Sequence, residues 1–377
     1  MTNTTNHIFN GINLERYPLN QHKNLRAWDA ADEYLLNTLN STKVINPQDQ
    51  VLIFNDSFGA IALTIQKHFS IKSMTVMTDS FNSKTGIINN AKTNNIDTNL
   101  FNIINSLEDF NTVFSHVLIK SPKSIDALVF FLSKIQNFIT DNCNIMIAGM
   151  IKHLPKKLWD TLEENFGSTS TSLTKKKAKI INLNINKYCN INKFPITYRQ
   201  NQFTIYNHAS VFSKKSLDIG TRFLLENIPL FDSINEIIDL GCGNGVIGLN
   251  LAHIYPDAII TLTDESYMAV ESAKLTVKNN TKNSSNIHFK VNNCLDEFPK
   301  NSADLIVCNP PFHQSHNIGI QIALTMFQQS HKTLRKNGYL IVIANRHLPY
   351  FSHLKRIFKN ITTHASSNKF NIYVSKK

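Results

Sequence analysis

The sequence predicts an α/β protein built from two tandem doubly wound sheets, and three observations carry that expectation. An apolar strand, a small-residue turn and an amphipathic helix start occur in VLIFNDSFGAIALTI from Val51 and again in IIDLGCGNGVIGLNL from Ile237. Strand, tight turn and helix in that order mark a βαβ unit. About 65 residues after each, a second apolar strand runs into proline: HVLIKSPKS around Val117 and DLIVCNPPFH around Ile306. A repeat this long indicates duplicated domains rather than a solenoid. Finally, 377 residues, 42% hydrophobic and 18% charged, exceed one ordinary domain and supply apolar side chains for two cores.

Taken in order, the elements fit that plan. The boundary is expected near Asn184–Ile196, where INLNINKYCNINKFP is polar and interrupted, so the domains are placed at 1–190 and 191–377. Next, ITYRQ and FTIYNH alternate around a short polar turn, the pattern of a β-hairpin. Leu217, Phe223, Leu224 and Ile228 then form an apolar helical stripe closed by Pro229. Beyond it, strands are predicted at 236–240, 259–263, 287–291, 304–308 and 338–344, with a last one around Phe370–Val374. Helices are predicted at 245–254, 266–279, 320–335 and 350–358. Such alternation implies a doubly wound parallel sheet.

Composition excludes other classes. With 12 Gly and 11 Pro the chain is not collagenous or low in complexity. No apolar run approaches the roughly 18 residues that span a bilayer. The opening MTNTTNHIFNG has neither a charged start nor an apolar core, so no secretory leader is expected. The cysteines, Cys143, Cys189, Cys242, Cys294 and Cys308, are odd in number and form no CxxC pair. Neither a disulfide framework nor a metal site is expected, and a reducing cytoplasm is. The net charge of +12 points to a polyanion partner. Residues 151–195 hold nine Lys against Asp160, Glu163 and Glu164, and residues 351–377 hold six basic residues and no acid.

The chemistry centres on two motifs. In Asp239-Leu240-Gly241-Cys242-Gly243-Asn244-Gly245, three alternating glycines follow a strand and open a helix. Glycine permits the sharp turn and a close backbone approach to a ligand at the helix N-terminus. Asp239 distinguishes this loop from a dinucleotide fingerprint: a carboxylate there repels pyrophosphate and attracts a cation such as the ammonium of a methionine-like moiety. S-adenosylmethionine is therefore favoured over NAD. Asp264 closes the next strand 25 residues on, where an acid can accept both hydroxyls of a ribose. Asn293 ends the third strand, placed to meet an adenine edge, although a plain turn role suits it nearly as well.

The second motif is Asn309-Pro310-Pro311-Phe312-His313 after the strand DLIVC. Two prolines hold the loop extended. The Asn309 side-chain oxygen can accept a hydrogen bond from an exocyclic amine, and the following carbonyl a second. Phe312 offers a face on which a base can stack. Cys308 falls on the buried strand and is read as core, and His313 as one candidate to take up a proton.

These two motifs resemble class I S-adenosylmethionine-dependent methyltransferases acting on exocyclic amines. VFSKKSLDIGTRFLL, DLGCGNGVIGL, CNPPFHQ and ANRH-LPYF look like bacterial ribosomal RNA guanine-N2 methyltransferases. LRAWDAADEYLL and the closing NKF point to the branch that modifies 23S ribosomal RNA, along essentially the full chain. The resemblance implies two Rossmann-like class I methyltransferase domains in tandem, with the cofactor only in the second. Gly241, Gly243 and Gly245, with Cys242 and Asn244 between them, would then line the methionine side. Asn309 to Phe312 would form the target-amine pocket, and the region of Phe212 and Thr221 would close over the cofactor.

The first domain departs from the active pattern. Its loop, Asn55-Asp56-Ser57-Phe58-Gly59-Ala60, has Ser57 and Phe58 where small residues are needed. Lys120-Ser121-Pro122-Lys123 replaces the asparagine motif with positive charge. This domain is expected to be degenerate and to serve as an RNA platform, with Lys120, Lys123, Lys175, Lys176, Lys177 and Lys179 on phosphates and Arg346 contacting RNA from the second domain. Three other readings stay open: an adenine-N6 or glutamine-N5 target, a 16S rather than 23S guanine, and a non-catalytic RNA-binding or assembly factor that retains the fold.

Overall fold

A computed structural model describes residues 8–19, 25–189, 193–311 and 316–377. The chain divides into two compact units, 1–193 and 194–377.

In the first unit the helices are α1 (Ala30–Thr42), α2 (Ala60–Phe69), α3 (Phe81–Thr93), α4 (Ile125–Ile135) and α5 (Lys156–Asn165). Its strands are β1 (Val51–Phe54), β2 (Met74–Thr78), β3 (Phe101–Asn105), β4 (Phe114–Lys120), β5 (Ile139–Met150), β6 (Gly167–Thr171) and β7 (Ala178–Ile185). They form one sheet of order β3-β2-β1-β4-β5-β7-β6.

The second unit opens with the expected hairpin, β8 (Ile196–Gln200) and β9 (Phe203–Asn207), then α6 (Ile219–Glu226). There follow β10 (Glu236–Leu240), α7 (Val246–Ile254), β11 (Ile259–Asp264), α8 (Tyr267–Asn280), β12 (Ile287–Val291) and β13 (Ala303–Cys308). The unit closes with α9 (His316–Thr333), β14 (Leu334–Asn345), α10 (Tyr350–Phe358), β15 (Asn360–Ser366) and β16 (Phe370–Lys376). Its main sheet has the order β12-β11-β10-β13-β14-β16-β15, the same permutation as the first.

Both sheets depart from the all-parallel expectation at one edge. β7 and β16 run antiparallel to β5 and β14, and β6 and β15 pair antiparallel to them. The stretch read as a polar linker starts inside β7. Ile181 and Leu183 are buried while Asn182 and Asn184 are exposed, so the interruptions are the solvent-facing side of a strand. β15 carried no predicted pattern because as an outer edge it is mostly exposed.

The central strands are buried on both faces, as parallel strands must be. Val51 and Ile53 enter one apolar cluster and Leu52 and Phe54 another. Leu305 and Val307 divide from Ile306 and Cys308 in the same way.

The duplication reaches beyond the sheets. In the second unit the Asn280 amide on α8 bonds both the N–H and C=O of Thr204 on β9 (2.8 and 2.7 Å), and Thr276 Oγ1 accepts from Tyr206 N (3.0 Å). In the first, Asn94 on α3 holds the N–H and C=O of Asn13 (both 2.7 Å), and Asn90 holds those of Glu15 (3.0 and 2.8 Å). The segment at Asn13–Glu15 is thus the counterpart of β9.

Candidate active site

In each sheet the strand order reverses between the first and fourth strands, β1/β4 and β10/β13. In open α/β sheets the crevice outside the carboxyl ends at such a point is where ligands bind. In the second unit both sequence motifs end there: the glycine turn follows β10 and Asn309 follows β13.

The turn passes through three left-handed glycines into α7. Two of them need glycine for different reasons. At Gly245 (φ +78°) an added Cβ would lie 2.8 Å from the Cα and Cβ of Ala273 on α8, so glycine lets the helices meet. At Gly243 (φ +53°) an added Cβ would meet nothing within 4 Å, so the backbone there faces open space. The turn is stitched to β11: Gly241 N and Cys242 N both donate to Thr263 O (2.8 and 3.0 Å), and Gly243 N donates to Asp264 Oδ2 (3.0 Å). Asp264 Oδ1 accepts from Ser266 N (3.0 Å), and burial raises its pKa against these amides. Each carboxylate oxygen can still accept another donor. Glu265 beside it is exposed.

Asp239 is wholly buried. Its Oδ2 accepts from Gly248 N in the first turn of α7 (2.8 Å). Its Oδ1 is buried with no hydrogen-bond partner among the described residues. Burial, opposed by the Gly248 amide and reinforced by Asp264, pushes its pKa up to about 7. A buried carboxylate oxygen without a donor costs free energy. An ammonium group supplies both the missing donor and the opposite charge, so the residues present fit the methionine end of S-adenosylmethionine.

Three residues assigned to the cofactor have other work. Asn244 is buried, with its amide donating to Tyr198 Oη (3.2 Å) on β8 and Asn207 Oδ1 (2.9 Å) on β9. It anchors the hairpin to the glycine turn. Cys242 is buried, and burial lifts its thiol well above its usual range, so it offers packing and its backbone. Asn293 donates to Asp296 Oδ2 (2.8 Å), as Gln329 on α9 donates to Asp296 Oδ1 (2.6 Å). Its side chain organises the turn after β12. Cys308 is fully buried with a strongly raised thiol pKa, which makes it core and not a nucleophile.

Asn309 lies just past β13, followed by buried Pro310 and half-buried Pro311. Its Nδ2 donates to Thr221 Oγ1 (3.0 Å) on α6, while Oδ1 is buried and unpartnered among the described residues. Phe312 and His313 lie outside the described residues. The Thr221 hydroxyl is thus engaged by Asn309.

In the first unit the corresponding turn carries different residues. The left-handed N-cap glycines of α2 and α7, Gly59 and Gly245, set the register. Phe58 then stands opposite Asn244, Ser57 opposite Gly243, and Ile53 opposite Asp239. The acid of this loop, Asp56, falls opposite Cys242, so the two loops do not share an acidic position. Its carboxylate takes the amides of Gly59, Ile61 and Ala62 (3.1, 3.0 and 2.9 Å), and burial pushes it up to about 6. The Phe58 ring is 9% exposed, lies under the Arg16 guanidinium (4.9 Å to the centroid) and packs against Gly86.

The predicted RNA contacts separate into two groups. Lys120 is a correction: its ammonium is bound by Asp29 Oδ1 (2.5 Å) and Asp32 Oδ2 (2.7 Å), and its side chain is only 15% exposed. A cation held this way is not available to a phosphate. Lys123, Lys175, Lys176, Lys177 and Arg346 are exposed, and Lys179 is half-buried. Lys176 pairs with Glu33 (2.9 Å), Lys175 lies over the Tyr34 ring (5.0 Å), and Arg346 donates to Ser367 O (3.3 Å). Lys123 and Lys152 both depress the pKa of His153 after burial does, which places three basic groups together where β4 and β5 end. Lys152 and His153 were not predicted individually. Among the described residues no cluster of His, Cys, Asp and Glu suits a metal ion, and no helix is long and apolar enough to cross a membrane.

Comparison with known proteins agrees with this geometry. Residues 2–187 match the RLMG N-terminal domain family and residues 202–374 the methyltransferase small domain family. The chain is 39% identical to the ribosomal RNA large subunit methyltransferase G of Psychromonas ingrahamii, over 95% of this chain and 94% of that one. It is 38% identical to the protein of that name from Vibrio parahaemolyticus, over 97% and 95%. Among solved structures it is similar to the T. thermophilus 16S rRNA N2 methyltransferase RsmC in complex with AdoMet and guanosine. The TM-score is 0.74 at 16% identity, over 93% and 92% of the two chains. That likeness shows a Rossmann-like methyltransferase fold in both units.

Proposed function

Because the chain belongs to the ribosomal RNA large subunit methyltransferase G family, we propose that it methylates the exocyclic N2 of a guanine in 23S ribosomal RNA with S-adenosylmethionine as donor. The observation that carries the reading is the buried Oδ1 of Asn309, unpartnered among the described residues, at the switch point of the second sheet. A buried acceptor without a donor is a site waiting for one, and an exocyclic amine is a donor of the right kind.

Asp239 Oδ1 and the open backbone at Gly243 would hold the methionine end, and Asp264 the ribose. S-adenosylmethionine held there would supply an electrophilic methyl group to the guanine N2 lone pair, with the N–C bond forming as the C–S bond breaks. Asn309 Oδ1, accepting one N2 hydrogen, holds the amine in line and stabilises the positive charge that grows on nitrogen. A proton then leaves N2 to solvent. Pro310 and Pro311 keep the loop extended beneath the base.

The first unit is proposed as an RNA platform without a cofactor. Its exposed cations, Lys123, Lys152 and the 175–177 run, are suited to phosphates. A guanine in a duplex hides N2 in the minor groove, so single-stranded or flipped RNA is required, and naked or protein-poor RNA in the cytoplasm is the expected substrate.

The test is Asn309→Ala assayed on naked 23S RNA with calorimetry of S-adenosylmethionine. Transfer should fall at least 100-fold with cofactor affinity within about threefold. Retained turnover would remove Asn309 from the mechanism. Mass mapping of methylated RNA from cells with and without the gene separates 23S from 16S and guanine from adenine. Failure of the wild type to bind the cofactor would favour a non-catalytic assembly factor.

A further inference from the structure

We propose that Asp218 and Thr221, at the N-terminus of α6, are positioning residues that fix which end of the Asn309 amide faces the target amine. This rests on the reading of Asn309 above and adds the device that makes it selective for a donor.

An asparagine amide is nearly symmetric in shape, and its two ends have opposite hydrogen-bonding sense. If Asn309 turned over, it would present NH₂ to an amine that also carries N–H groups, and the two would repel. Something must therefore fix the amide. Thr221, 6% exposed, accepts from Asn309 Nδ2 at 3.0 Å. A hydroxyl could equally donate, so this contact alone does not set the sense. Asp218, the N-cap of α6, does: its Oδ2 accepts from Thr221 N (2.9 Å) and lies 3.4 Å from Thr221 Oγ1. A carboxylate only accepts, so the hydroxyl hydrogen points to Asp218 and its lone pair to Asn309. Nδ2 is thereby fixed on Thr221, and Oδ1 is left buried and unpartnered among the described residues, facing away.

The first unit supplies an internal comparison. In the register set by the N-cap glycines, and by the pairing of Phe54 with Ile119 and Leu240 with Cys308, Lys120 occupies the place of Asn309. Its partners are Asp29, the N-cap of α1, and Asp32, three residues on. Asp218 and Thr221 have the same relation, N-cap and three residues on. The contact between the first helix and the residue after the fourth strand is thus kept in both units. In the first it is an ion pair that uses up the head group. In the second an N-cap carboxylate and a hydroxyl hold one end of an amide and leave the acceptor end unused.

The experiment compares Thr221→Val, which keeps the shape and removes the hydroxyl, with Thr221→Ser, which keeps the hydroxyl. Each is assayed for kcat and KM on naked 23S RNA and for S-adenosylmethionine Kd by calorimetry. Thr221→Val should lower kcat by about 10- to 100-fold, with cofactor Kd and RNA KM within about twofold. Thr221→Ser should restore most of kcat. Full kcat in Thr221→Val overturns the proposal. So does a loss expressed in cofactor Kd, which would make Thr221 a cofactor contact, or a Ser variant as impaired as Val. If Val at 221 prevents folding, the pair Thr221→Ser and Thr221→Cys carries the same comparison, since a thiol of similar size bonds poorly. Inactive wild type would instead defeat the methyltransferase reading, an outcome distinct from each of these.

Discussion

Gly243 and Gly245 sit two residues apart in one turn, yet their substitution should fail in different ways. An alanine at either position pays the left-handed penalty of about 1–2 kcal/mol. At Gly243 the methyl meets no protein atom, so Gly243→Ala should fold, melt only slightly lower and lose S-adenosylmethionine affinity by more than tenfold. At Gly245 the methyl strikes the α8 backbone at Ala273, so Gly245→Ala should lose about 3 kcal/mol or more of stability. Calorimetric binding and denaturant unfolding of the two variants check this. Equal stability would refute the close contact at Ala273, and intact cofactor binding in Gly243→Ala would show that the space beside Gly243 is not the ligand cradle. Asp239 belongs to the same scale: its orphaned oxygen and its pKa near 7 are two expressions of one cause, a carboxylate buried with one donor where it could use several.

At the scale of elements, the N-terminus of the first helix in each unit decides what the residue after the fourth strand can do. Asp29 caps α1 with a capping box, and Asp32 completes the cage around Lys120. Lys120→Met would leave Asp32, 6% exposed, without its counter-charge. The loss should be about 2 kcal/mol, below the cost for a fully buried pair because the Asp29 side chain is 45% exposed. The salt dependence of RNA binding should not change. Lys123→Ala should do the reverse: unchanged melting, and a slope of log Kd against log salt reduced by roughly 0.7–0.9. Unfolding curves and RNA titrations at three salt concentrations settle both, and a changed slope in Lys120→Met would return Lys120 to the RNA surface.

At the scale of the whole chain, two units of identical strand permutation carry different turns at the same switch point. In the first unit Ile53 stands where the second has Asp239, so the carboxylate suited to an ammonium is missing there, and Asp56 takes the amides of Gly59, Ile61 and Ala62. Calorimetry of the intact protein should accordingly give one S-adenosylmethionine per chain, and Gly243→Ala should weaken that one binding event. A stoichiometry of two would mean that the first unit also binds the cofactor. Duplication also shows beyond the turn: the ladder of Asn90 and Asn94 on the Asn13–Glu15 segment keeps the architecture of the second unit's Thr276 and Asn280.

The sequence by itself determined the duplicated α/β plan, most strand and helix positions of the second unit, and the pairing of a glycine turn with Asn309. Those features are local: strand period, turn glycines and a proline-fixed loop are written in adjacent residues. Contacts between residues far apart in the chain belonged to the tertiary structure. Lys120 meets Asp29 across 91 positions and Asn309 meets Thr221 across 88, so a lysine that reads as an RNA contact becomes half of an ion pair, and a threonine in the first turn of a helix becomes the holder of an amide. Asn244 likewise bonds Tyr198 and Asn207 of a hairpin the sequence placed but did not dock. The physical reason is common to all three. A side chain's type fixes what it can donate or accept, but only packing fixes which partner arrives first and which atom is left over.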